Sequence, residues 1–283
     1  MKLALFNGNR LGVIKEEQII DVTAALPHWD NGYAPNWWLR MCHDFDEIRP
    51  RIEAESARTQ GTPLSQIRLN APVLWPQKIV AAASNYAAHV DEMSARGPYE
   101  AWMLQFGVFL KAPSSIIGPD DTIELPAVGD AEIHHESELG FIIGKGGKNI
   151  PEEQALEHVL GYTGVLDITV RGQGDRSTRK SYDGFTPIGP WLVTADEVGD
   201  PHDLRIRLWL NADTVPRQDV HTGDMLVKIP QMIAHISSIM TLNPGDVIST
   251  GAPPGVGKIA PGDRITFEIE KIGQMAIHVR SGK

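Results

Sequence analysis

The chain opens on three short apolar runs, residues 2–6, 11–15 and 18–22, the first two divided by Asn7-Gly8-Asn9. Runs of this length, bounded by turn formers, predict strands. Over residues 44–58 charged side chains dominate, and Phe45, Ile48 and Ile52 recur at spacings of three and four. That period predicts a surface helix which Pro50 is placed to split. Ala71-Pro72-Val73-Leu74-Trp75-Pro76 reads as a linker. It divides the chain into a small N-terminal α+β domain, residues 1–72, and a larger domain, residues 73–283.

Beyond the linker the apolar residues fall into many short runs punctuated by Gly and Pro. Strands are expected at residues 78–83, 107–111, 132–143, 163–170, 205–211, 247–250, 264–270 and 275–279. Helices are fewer: residues 86–93, residues 151–160 with Pro151 suited to the first turn, and Ile229–Ile239. Asn243-Pro244-Gly245-Asp246 and Ala260-Pro261-Gly262-Asp263 are turns in similar settings. The fold class is mostly β, of the α+β kind, with a rolled or barrel-like sheet.

Composition narrows the partners more than the fold. With 42% hydrophobic and 22% charged residues, the 283-residue chain has the make-up of an ordinary globular protein. A formal net charge of -10 and the lack of any basic run argue against nucleic acid. The longest apolar stretches, such as residues 139–143, fall far short of the roughly 20 residues a membrane helix needs, so no membrane span is expected. The N-terminus is broken early by Asn7 to Arg10, unlike a signal peptide, which gives a cytoplasmic expectation. Cys42, the single cysteine, has no disulfide partner within the chain and reads as a half-buried thiol.

The chemistry concentrates in Ile133-His134-His135-Glu136-Ser137-Glu138-Leu139, where two acids interrupt an apolar strand. Residues two apart on a strand share a face, so Glu136 and Glu138 point the same way. If that way is inward, their repulsion calls for a cation between them; on an edge strand the same pair is simply solvated. Asp167, set among apolar and β-branched residues, is an expensive lone charge and supplies a third carboxylate. Oxygen donors without thiols match a hard cation, Mg²⁺ first, with Mn²⁺ or Ca²⁺ as alternatives. His134 shares the expected glutamate face, so a mixed histidine and carboxylate site competes with this reading.

Several separate segments are together similar to the fumarylacetoacetate hydrolase family, over residues 73–283. They are Ser84-Asn85-Tyr86-Ala87-Ala88-His89-Val90-Asp91-Glu92, Phe109-Leu110-Lys111-Ala112-Pro113, His135-Glu136-Ser137-Glu138-Leu139, and Gly161-Tyr162-Thr163 with Asp167. Downstream lie Lys180-Ser181-Tyr182-Asp183, Pro187-Ile188-Gly189-Pro190 and the run from Pro244 to Gly257. The resemblance implies a β-roll catalytic domain, a metal held by Glu136, Glu138 and Asp167, and homodimers. It implies a base role for His89, three residues from Glu92 on a short helix, where the carboxylate orients the imidazole; the alternative is a surface ion pair.

Lys180 and Arg171 are candidates for stabilising an oxyanion or gripping a substrate carboxylate. Arg171 lies four residues after Asp167, on the same face if the strand runs that far. Tyr86, Lys111, Gln173, Thr250 and Gly251 are the substrate-binding candidates, the Thr250-Gly251 turn offering a hydroxyl and backbone amides. The chain departs from the family after Arg171. Many members have an acid next and a glutamine two beyond it, where this chain has Gly172-Gln173-Gly174 and a short approach from Arg176 to Lys180. Whether Gln173 replaces that glutamine stays open, and the glycines suggest a mobile lid.

The resulting expectation is a metal-dependent hydrolase that cleaves a carbon-carbon bond in a small 1,3-dioxo carboxylic acid such as an acylpyruvate. The same enolate chemistry supports an isomerase of 2-hydroxymuconate-type acids or a decarboxylase of 2-oxo acids. A noncatalytic binding protein with a structural cation is the reading from another class. Trp37-Trp38 is assigned to packing or a dimer contact.

Overall fold

The computed structural model describes residues 1–30, 36–94 and 107–282. The first three runs form the strands Lys2–Phe6, Arg10–Lys15 and Gln18–Asp21, an antiparallel meander. They are not a separate sheet, because Lys2–Phe6 also pairs antiparallel with Thr186–Thr194. Next in order come Val159–Leu166, Ser137–Ile143, Val247–Ser249, Ile79–Ala82 and Val108–Lys111, within one 12-stranded sheet. The sheet therefore runs straight across residue 73. So does a core, in which Leu3, Leu5, Trp37, Trp38 and Ile52 pack with Ile142, Val165, Ile188 and Val247. Residues 1–72 therefore share a sheet and a core with the larger segment.

A 5-stranded sheet, in the order Gln218–His221, Arg205–Leu210, Arg264–Ile269, Gly273–Ser281 and Thr122–Leu125, supplies the second layer. Its inner residues alternate, with Ile206, Leu208, Leu210, Ile265, Phe267 and Ile269 buried, as the two-residue period of a one-sided strand demands. A 3-stranded sheet, Thr169–Val170, Ile133–His135 and Gly257–Lys258, closes one end. The mostly β expectation holds, with several packed sheets rather than one.

The helix Ile229–Ile239 buries Ile229, Met232, Ile233 and Ile236, a three-and-four spacing in which each side chain contributes about 1.5–3 kcal/mol of apolar burial. Two helix expectations need correction. Residues 45–58 form one helix through Pro50, which forgoes only the bond to Asp46 near the helix start. Residues 152–158 form a 3-10 helix, and Val159 and Leu160 belong to the next strand. The helix Asn36–His43 went unforeseen; it buries Trp37, Trp38, Met41 and Cys42, so the thiol is fully rather than half buried. Burial raises the Cys42 thiol well above its ordinary range. No helix among the described residues is long and apolar enough to cross a membrane.

Candidate metal centre

The strand expected over residues 132–143 is two strands, Ile133–His135 in the small sheet and Ser137–Ile143 in the large one, with Glu136 in the gap. Its hairpin partner divides in the same place: Val159–Leu166 stays in the large sheet, Thr169–Val170 joins the small one, and Asp167 lies between. One register spans the break, with Ile133 opposite Val170 and Ser137 opposite Leu166, so Glu136 faces Asp167. The Asp167 amide donates to the Glu136 carbonyl at 2.8 Å. The two acids thus stand at a shared kink, where a side chain can leave the pleat and turn into the seam between sheets.

Glu138 joins them from the second position of the strand Ser137–Ile143. Each of Glu136, Glu138 and Asp167 offers a ligand oxygen, these atoms lie within 4.8 Å of one another, and all three residues are buried. Among the described residues this trio could hold a metal; His134 is not part of it, and its Nε2 lies 3.0 Å from Glu132 Oε2. The mixed site fails because His134 sits beyond the kink, in the other sheet.

Two lysines thread the same cluster. Lys180 Nζ donates to Glu136 Oε2 at 2.7 Å and to Asp167 Oδ2, while Lys111 Nζ donates to Asp167 Oδ1 and, at 2.8 Å, to the Phe185 carbonyl. Burial acts to raise the Glu136 carboxyl, yet Lys180 and Arg171 outweigh it and hold the group well below the usual carboxylate range. Glu138 goes the other way: burial first, then Asp167, push it up to about 8. A buried carboxylate so raised by a neighbouring carboxylate is relieved by a cation, and the all-oxygen donor set suits a hard divalent one.

The remaining sequence candidates divide. His89 is buried, and its Nδ1 lies 3.3 Å from Glu92 Oε2, so the pair is not a surface ion pair. His89 bears electrostatically on Glu136, which puts the pair beside the trio. Arg171 Nη2 is 2.7 Å from Glu136 Oε1, close enough for an ion pair although no N–H aims at the oxygen. It arrives from just past the strand Thr169–Val170 rather than along a shared face. Tyr86 is buried with a hydroxyl that has no hydrogen-bond partner among the described residues. Burial and nearby Glu138 raise its phenol well above the ordinary value. Gln173 is exposed.

Three of the substrate-binding candidates are engaged within the protein itself. Lys111 is buried and committed to Asp167 and Phe185. The Thr250 hydroxyl and amide both donate to the Leu139 carbonyl. The Gly251 amide donates to Glu138 Oε2 at 2.8 Å, so this turn holds a carboxylate of the protein itself. The lid is also less free than its glycines suggest, since Arg179 reaches the carbonyls of Val170 and Gly174, both at 2.8 Å, and clasps the loop between them.

Residues with no role assigned from the sequence complete the frame. Ser249 donates its hydroxyl to Glu138 Oε2, and Asn85 Nδ2 donates to the Thr250 carbonyl at 2.9 Å, fixing the peptide whose amide holds Glu138. His135 is buried, with Nδ1 on Gln218 Oε1 at 3.2 Å, and burial lowers its pKa from 6.5 to about 4. In the unfolded chain it binds its proton more readily, so its contribution is complete above pH 6.5 and is lost as the pH falls toward 4. That loss amounts to about 3 kcal/mol. In thermal melts His135→Asn is expected to flatten the acid limb relative to the parent; parallel profiles would show that His135 does not carry it.

The Fumarylacetoacetate (FAA) hydrolase C-terminal family model matches residues 78–280. A maleylpyruvate hydrolase of Aquipseudomonas alcaligenes is 40% identical over 99% of this chain and 100% of its own length. The crystal structure of maleylpyruvate hydrolase from Sphingobium sp. SYK-6 in complex with manganese (II) ion and pyruvate is 43% identical, with a TM-score of 0.90 over 100% of both chains. A 4-hydroxyphenylacetate degradation bifunctional isomerase/decarboxylase of Salmonella dublin is 37% identical over 80% of this chain and 54% of its own. Sequence similarity over nearly the full length and a matching fold agree with the buried carboxylate trio: the chain belongs to the fumarylacetoacetate hydrolase family and is a metal-dependent enzyme.

Proposed function

We propose that the chain hydrolyses a 2,4-dioxo carboxylic acid of the maleylpyruvate type, using Mg²⁺ or Mn²⁺ held by Glu136, Glu138 and Asp167. The observation that carries this is the buried His89, held by the half-buried Glu92 beside the carboxylate trio, since hydrolysis needs a base for water and decarboxylation does not. The bound cation supplies Lewis-acid polarisation of the dioxo oxygens.

The side chains supply the rest. In the tautomer that donates Nδ1–H to Glu92 Oε2, His89 keeps the Nε2 lone pair to take a proton from water. The water oxygen bonds to the acyl carbonyl carbon, and the bond from that carbon to the methylene breaks with its electron pair going to the pyruvate enolate. The proton on His89 then passes to the enolate carbon, leaving a carboxylic acid and pyruvate. Arg171 and Lys180, both beside Glu136, would stabilise the developing negative charge, and the Tyr86 hydroxyl is a further donor. Lys111, Lys180 and Arg171 offset the three carboxylates, so a divalent cation would leave the centre positive and favour an anionic substrate, and a second carboxylate on the acyl part adds to that preference.

Pyruvate release from maleylpyruvate and simple acylpyruvates, with oxaloacetate as the contrast, tests the reading. Turnover of the dioxo acids is expected with added Mg²⁺ or Mn²⁺, lost with chelator and restored by excess metal. Consumption of oxaloacetate with no dioxo-acid cleavage would overturn it in favour of decarboxylation or tautomerisation.

A further inference from the structure

Gln218 begins the edge strand Gln218–His221 of the 5-stranded sheet, yet its side chain is wholly buried. Its Oε1 accepts from the Ser137 amide at 3.0 Å and faces His135 Nδ1 at 3.2 Å; its Nε2 donates to the Pro253 carbonyl at 3.0 Å. The backbone partners fix which end of the amide is which, because Ser137 offers only a donor and Pro253 only an acceptor.

Both partners lead to the chemistry. The Ser137 amide belongs to the Glu136–Ser137 peptide, whose carbonyl accepts from Asp167. Gln218 therefore takes up the amide of the peptide at the kink. Pro253 lies two residues before Gly255, whose amide donates at 3.2 Å to Glu92 Oε2, the oxygen facing His89. This loop presses onto the Gln218 strand so closely that a Cβ on Gly255 would meet the Arg217 carbonyl oxygen at 1.9 Å, and Gly255 has φ +88°.

We infer that Gln218 is a positioning residue whose single amide holds both the Glu136 end of the metal centre and the loop that anchors Glu92. It touches neither substrate nor metal. The inference rests on Glu136 as a metal ligand and Glu92 as the partner of the base. One amide serving two machineries predicts that they separate when its two ends are changed independently.

Gln218→Leu removes both ends; Gln218→Glu keeps an acceptor for Ser137 and His135 but sets an oxygen against the Pro253 carbonyl. Mn²⁺ affinity is measured by calorimetry on the folded protein, and kcat, KM and the pH profile of kcat/KM on the metal-loaded enzyme. Gln218→Leu is expected to weaken Mn²⁺ binding about 10-fold or more and to lower kcat. Gln218→Glu is expected to keep Mn²⁺ affinity within a few-fold while kcat falls about 10-fold at little-changed KM and the acid limb of the profile moves.

A purely structural residue would lower the melting temperature and leave Mn²⁺ affinity and the pH profile of the folded fraction unchanged; that result overturns the inference. Should Gln218→Leu not fold, Gln218→Glu decides alone: a parental pH profile and kcat sink the claim. Failure of the parent itself to bind Mn²⁺ overturns the metal reading instead.

Discussion

Asp167→Asn is expected to reduce divalent-metal affinity by at least about 100-fold and kcat/KM by about 1000-fold, with a lower melting temperature even without metal. Loss of an outer-shell partner costs a metal site about 10- to 100-fold, and a ligand carboxylate matters more. The size of the stability effect follows from what Asp167 touches: it is wholly buried, Oδ1 takes the Lys111 ammonium and Oδ2 the Lys180 ammonium. An Asn offers one acceptor and one NH₂ to these two cations, so at least one ammonium faces a donor. Breaking a buried ion pair by removing one partner costs about 3–5 kcal/mol. Lys111 is the more exposed to this loss, because burial already lowers its pKa and Asp167 is the first influence that supports its charge. Calorimetry with Mn²⁺ and melting curves check both parts. Undiminished Mn²⁺ uptake by the folded variant would remove Asp167 from the ligand set.

The sequence disclosed the acids but not the way they meet. Period-two logic put Glu136 and Glu138 on one face of one strand, and the pair does converge, though through a break at Glu136 that moves His134 into another sheet. Nothing in Ile133-His134-His135-Glu136-Ser137 announces the break. It depends on the partner segment dividing at Asp167 and on Gln218, far along the chain, taking up the freed Ser137 amide. Strand positions such as Arg205–Leu210 and Arg264–Ile269 were legible to within a residue because their apolar and polar positions alternate. Which sheet each strand joined was not, since pairing is decided between distant segments. The pairing of the first strand with the large sheet is of the same kind: Lys2 pairs with Val193, and no local pattern carries that.

The turn at Thr250-Gly251 shows why motifs disclose roles unevenly. A small residue and a hydroxyl before glycine suggest backbone amides open to a ligand. Here the carboxylate at hand is Glu138, and two donors converge on its Oε2, the Ser249 hydroxyl and the Gly251 amide of the peptide that Asn85 holds. Anchoring that oxygen orients the Glu138 carboxylate within the trio that could hold a metal, so under the proposed function the motif acts on the substrate through Glu138.

His89→Asn is expected to lower kcat by about 100- to 10,000-fold, the range for a lost general base, while Mn²⁺ affinity changes little. Among the described residues His89 is not part of the trio and makes no hydrogen bond to its carboxylates; its link to Glu136 is electrostatic, and its hydrogen-bond partner is Glu92. Asn can still donate toward Glu92, so the helix Ala87–Ser94 keeps its anchor, but it has no basic nitrogen for water. KM should hold, because the dioxo end of the substrate is gripped elsewhere, and the acid limb of the kcat/KM profile should flatten. Glu92→Gln is expected to act in the same direction and more weakly, since it disturbs the imidazole's orientation without removing the base. Equal losses of kcat and metal affinity in His89→Asn would move His89 from proton transfer to the support of the metal centre; an unchanged kcat would end its role as the base.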